Sequence, residues 1–192
     1  MSDNRNLLAG INGTGLDGTG LVWMAPIGST APTDASTSLA AAWKNMGGIT
    51  EAGITVKLAT QTTKKKFYGS AATQRTIVTD QDYSVDAVFG ETNARTMEVF
   101  WRKALNSITP TVGTGAFATT AGSYTRQLYA LVTDMVDGTN RMRLYFPQVE
   151  VTNQNDVKVA NTEAVEWGVT LSAYPDTSGN AIYPFFVIPS LG

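Results

Sequence analysis

Apolar and polar residues alternate with a period of two along most of this chain, the spacing of strands that bury one face and wet the other. From Gly53 onward, Ile54, Val56 and Leu58 fall on one side while Thr55, Lys57 and Ala59 fall on the other. The polar run Thr60 to Gln74, T-Q-T-T-K-K-K-F-Y-G-S-A-A-T-Q, then predicts the tip of a long hairpin covering about residues 54–79. A second strand follows from Asp82 to Phe89, with Asp82, Ser84 and Asp86 set against Tyr83, Val85, Ala87 and Phe89. Tyr124–Val136 and Arg141–Val151 read as partners joined by the turn Asp137-Gly138-Thr139-Asn140, and Pro147 predicts a bulge or an edge. Between Glu163 and Ala173, Val165, Trp167, Val169 and Leu171 oppose Glu166, Gly168, Thr170 and Ser172. Strands at Leu21–Pro26 and Ile182–Ile188 complete the set.

Two segments break the alternation. Beyond Thr92, a potential N-cap, Met97, Phe100, Trp101, Ala104 and Leu105 recur at helical spacing, with Arg95, Glu98, Arg102 and Lys103 expected toward water. Asp34 and Ser36 offer caps for a short helix pairing Leu39 with Trp43 and stopped by Gly47-Gly48. The expected fold is mainly β, a sandwich or barrel of antiparallel strands with one amphipathic α-helix and one short helix. Residues 21–192 are expected to form one domain, because the loop from Asn106 to Gly122 brings no compositional boundary. Ahead of it, the run G-T-G-L-D-G-T-G at 13–20 predicts a flexible arm over residues 1–20. Gly13, Gly15 and Gly18 spell G-x-G-x-x-G, but a dinucleotide site needs a strand before that run and here the strand comes after.

Composition removes most chemistry. The chain has neither histidine nor cysteine, so the commonest general base, the commonest transition-metal ligand and every thiolate site are missing. No catalytic, metal or cofactor residue is assigned, and an enzyme is not expected. Asp80, Asp82 and Asp86 lack the ligand order of a calcium loop. With 16% charged residues against a usual figure of about 25%, much of the surface is uncharged, as suits a subunit that packs on copies of itself. A net charge of -2 argues against binding nucleic acid by phosphate neutralisation. Lys64, Lys65 and Lys66 with Phe67 and Tyr68 therefore read as a solvated hairpin end or a contact to a partner protein. No run approaches the ~18 apolar residues of a membrane span, so use without secretion or membrane insertion is expected.

The stretch from Ala25 to Lys57, A-P-I-G-S-T-A-P-T-D-A-S-T-S-L-A-A-A-W-K-N-M-G-G-I-T-E-A-G-I-T-V-K, carries a resemblance. Followed by the Lys-rich hairpin, by F-G-E-T-N-A ahead of a helix and by three long strands, it resembles the major tail tube proteins of long-tailed bacteriophages. That resemblance implies a structural virion protein, synthesised in the host cytoplasm, whose homohexameric rings stack into the tail tube that conducts DNA into the host. Its implied partners are copies of itself, a tape measure protein and a tail terminator, with double-stranded DNA passing unbound and no membrane involved. Tubes of this kind close one barrel from six subunits of four strands each. At ~4.8 Å spacing and ~40° tilt such a barrel has a diameter of ~48 Å, leaving ~38 Å between inward side chains.

An acidic wall would repel phosphate, so Asp82, Asp86 and Glu166 are expected to face the lumen. Lys64, Lys65, Lys66, Phe67 and Tyr68 at the hairpin tip, with Gly13, Gly15 and Gly18 of the arm, are expected between subunits. A type VI secretion tube has a similar fold and is one alternative. A small-ligand-binding β sandwich is the other.

Overall fold

The computed structural model of the protein describes residues 21–191, so the expected arm over residues 1–20, with Gly13, Gly15 and Gly18, lies outside them. Strands β1 (Val22–Pro26), β2 (Lys44–Asn45), β3 (Ile49–Lys65) and β4 (Arg75–Phe89) precede helix α1 (Ala94–Phe100). Strands β5 (Leu128–Asp137), β6 (Asn140–Gln154), β7 (Trp167–Tyr174) and β8 (Tyr183–Val187) follow, and a 3₁₀ turn spans Pro189–Leu191. All pairings are antiparallel, in the order β2-β1-β5-β6-β7-β4-β3, with β8 also on β6.

Strand β6 belongs to two half-sheets. Along one edge it pairs with β8 from Arg141 to Tyr145 and then with β7 from Gln148 to Gln154, while β5 follows its other edge from Asn140 to Glu150. The transition falls at a register shift opposite Tyr129 and Leu131, where Pro147, lacking an N–H, costs no ladder bond. The bulge expected at Pro147 is thus present, and it turns one strand through both layers. Between them lies the main core, in which Met24, Leu131 and Phe146 of one layer meet Val85, Phe89 and Leu171 of the other, with Val99 and Phe100 of α1 closing the end.

The helix is shorter than its apolar spacing suggests. Asn93 rather than Thr92 caps it, accepting from Thr96 N at 2.9 Å, and regular structure stops at Phe100. Arg102 and Asn106 then adopt positive φ. Glu98, expected toward water, is 0% exposed. Its carboxylate accepts from Arg95 at 2.6 Å and from the backbone N–H groups of Asn106 and Ile108 at 2.9 and 2.6 Å, so the returning loop covers it. A buried charge needs this number of donors, and the helix is cut short to supply them.

The short helix expected after Asp34 is absent. Asp34 does accept from Ser36 N and Thr37 N, as an N-cap would, yet the turn goes no further. The reason lies across the fold. Arg143, 1% exposed on β6, donates to the carbonyls of Asp34 and Thr37 at 3.1 and 2.8 Å and forks onto Asp134 of β5 at 2.6 and 2.9 Å. Carbonyls that a helix would have used are taken by a guanidinium, and a planar five-donor group suits that task. The segment is thereby pinned over a second apolar cluster, where Trp43 packs edge-on to Tyr145 at 6.0 Å. Arg143→Ala is expected to lower the unfolding free energy in urea by about 3–5 kcal/mol, because Asp134 stays buried without its partner. The paired change Asp134→Leu with Arg143→Met should recover part of that loss, since the two loop carbonyls still lose their donor.

Candidate functional site: a polar sheet face and a projecting hairpin

One side of the half-sheet β3-β4-β7-β6 builds the core, so the alternation that sends Val85, Ala87 and Phe89 inward sends Asp82, Ser84 and Asp86 outward. Strand register lines them up with hydroxyls: Ser84 lies across from Ser172, Asp86 across from Thr170, and Ser172 across from Glu150. Thr170 donates to Asp86 at 2.8 Å, and the Thr152 and Ser172 hydroxyls are 3.0 Å apart. The result is a four-strand face of small polar groups. An antiparallel sheet with one wet side is the ordinary outcome of such patterning.

Charge on this face is largely compensated. Lys57 on β3 forms an ion pair with Asp86, and this contact, ahead of the opposing effect of burial, holds the Asp86 carboxyl below its ordinary value. Glu150 is only 4% exposed. Burial opposes its ionisation, but hydrogen bonds from Tyr124, Arg126 and Tyr174 outweigh that and keep its carboxyl below the usual value of 4.5. Arg126 reaches it at 3.1 Å while stacking over the Tyr174 ring, and Arg102 stacks over Tyr124. This knot fastens the loop before β5 to the sheet.

Of the three carboxylates expected on one surface, the structure places Asp82 and Asp86 on the same face of β4. Asp82 has no ion-pair partner among the described residues. Glu166 stands apart, because β7 begins at Trp167 rather than Glu163, which leaves Glu166 in the loop at the end of the sheet remote from the hairpin tip. Glu150, Tyr124, Arg126 and Tyr174 were missed by sequence reasoning. The alternation of Gln148, Glu150 and Thr152 with Val149 and Val151 could have found Glu150, whereas its partners come from a loop and another strand.

Beyond Tyr83 the β3-β4 pair leaves the body. Strand β7 pairs with β4 only from Tyr83 to Phe89, so beyond the Leu58–Tyr83 rung residues 59–65 and 75–82 form a two-stranded ribbon with no third strand among the described residues. Its core-side face continues the apolar series past the core: Leu58 and Val78 are 66% and 59% exposed. Lys64, Lys65 and Lys66 are exposed at the tip, as are Phe67 and Tyr68. Among the described residues, strand β3 has a partner on one side alone.

A family model described as phage tail tube protein matches residues 13–186. The chain belongs to that family. It is a structural protein of the phage tail that assembles with itself into a tube, and its place is the virion tail. Among curated proteins the sequence has no match. No described helix is long and apolar enough to cross a membrane.

The depressed values of Glu150 and Asp86 make stability pH-dependent in a definite direction. A carboxyl with a lowered folded value stabilises fully above its unfolded value, and that contribution is lost as pH falls through the folded value. The melting temperature is therefore expected to drop as pH falls below the ordinary 4.5 of Glu150. Glu150→Gln should flatten that slope in thermal melts recorded between neutral and acid pH.

Proposed function

We propose that this tail tube protein forms hexameric rings in which the face bearing Asp82, Ser84, Asp86, Thr170 and Ser172 lines the lumen. The observation that carries the reading is the four-strand polar face ending in the edge of β3, which is unpaired among the described residues. A 17-residue edge exposes backbone donors and acceptors that invite another strand, and a ring removes such edges by closing them on neighbouring copies. Six copies of four strands give the ~38 Å passage already estimated, wider than a DNA duplex.

The wall would be nearly neutral. Asp86 is offset by Lys57 and Glu150 by Arg126, so Asp82 carries the uncompensated charge of the central face and Glu166 sits toward its rim. Short hydroxyls and paired charges give phosphate no cluster of cations to release counterions against, so the genome would pass without being held. In this reading rings stack through the β3-β4 ribbon, whose exposed Leu58, Val78 and Phe67 gain cover from an adjacent ring. The ejection of DNA into the host, a tape measure protein inside the growing tube and a terminator at its end complete the role, with synthesis in the host cytoplasm.

Negative-stain electron microscopy of concentrated protein is expected to show six-fold rings or hollow tubes; a species that stays monomeric would overturn the reading. Because the chain has no cysteine, Asp82→Cys introduces a single thiol. In assembled tubes that thiol should react with a small maleimide but be shielded from one attached to a large protein, and equal reaction with both would place Asp82 outside. Deleting residues 62–72 should leave a folded subunit that fails to extend tubes, as read by sedimentation.

A further inference from the structure

The two ends of the β3-β4 ribbon carry opposite charge. At the tip, Lys64 lies across from Thr76 and Lys65 across from Arg75, so Lys64, Lys65, Lys66 and Arg75 crowd the last rungs. All four are exposed, and none forms an ion pair with a carboxylate among the described residues. At the other end, Ile49, Phe89 and Trp167 form one cross-strand row on β3, β4 and β7. Glu51, Glu91 and Glu166 each lie within two residues of that row, on three adjacent strands or their extensions, and each is exposed. None of the three has a cationic partner among the described residues.

We infer that these ends are complementary halves of one contact, in which the basic tip of one copy of this chain meets the carboxylates at the base of the next. The inference rests on the tube reading and assigns its stacking partner surface and control. Like charges gathered at one end repel each other in the isolated subunit, and opposite charges on a neighbour relieve that repulsion at both ends. A tip that fits a base, and not another tip, is a heterologous contact that propagates as an open stack. Exposed ion pairs add little affinity but fix register and speed encounter, while burial of Phe67, Leu58 and Val78 supplies the attraction. Glu51 and Lys65 are fourteen residues apart along β3, about 45 Å at ~3.3 Å per residue, or ~35 Å along an axis tilted ~40°. That interval bounds the axial repeat.

The test uses the full chain with one end reversed at a time, as Lys64→Glu/Lys65→Glu/Lys66→Glu or as Glu51→Lys/Glu91→Lys/Glu166→Lys. Tube growth is followed by sedimentation and electron microscopy at low salt and at ~1 M salt, where charges are screened beyond ~3 Å. Each variant alone should elongate at least about tenfold more slowly than the parent at low salt. An equal mixture of the two should recover growth, because each reversed end then finds its complement, and high salt should slow the parent chain. Recovery in the mixture also shows that both variants fold. Growth of either variant alone at the parental rate, a mixture no better than its components, or a parent indifferent to salt would overturn the charge register while leaving the tube reading intact. Failure of the parent chain to form rings or tubes at all would overturn the tube reading, and this inference with it.

Discussion

Everything in this fold depends on one strand serving two layers. Strand β6 pairs with β8 through its first half and with β7 through its second, turning at the buried Pro147 bulge, while β5 follows its other edge as far as Glu150. Because both layers hang from the same strand, their apolar sides face each other and close a core without a separate connection. The outward side of β3-β4-β7-β6 is then left polar, and among the described residues the β3 edge is left open. Assembly is built into the way the sheet bends.

Two buried carboxylates hold irregular chain against this frame. Asp134, forked onto Arg143, fixes the turn at Asp34–Thr37 over the outer aromatic cluster, and Glu98 gathers the backbone of Asn106 and Ile108 beneath α1. Each charge is repaid by several donors in low-dielectric surroundings, so neither partner can be removed cheaply. Glu150 does the same on the polar face with two tyrosines and an arginine. These loop segments are therefore held by buried side-chain acceptors as well as by their own turns. The projecting ribbon has no such anchor among the described residues. Its residues between Leu58 and Asp82 are almost all exposed, and its stiffness rests on the β3-β4 ladder alone.

Period-two patterning by itself located most of the strands, the long hairpin and the division of β4 into a core side and a carboxylate side, since alternation needs no knowledge of partners, but it began two strands four residues early, at Tyr124 and Glu163. The missing histidine and cysteine bounded the chemistry as directly. Tertiary structure decided the rest. Capping residues at Asp34 could not reveal that Arg143, more than a hundred residues later, would take the helix's carbonyls. Helical spacing placed Glu98 on a wet face because the loop that covers it has no periodicity to read. Glu166 shared the parity of Thr170 but not its strand, because β7 pairs with β4 only as far as Trp167. Which end of the ribbon gathers acids, and how far it stands from the lysines, follows from register between strands distant in sequence, and register is set when the core closes.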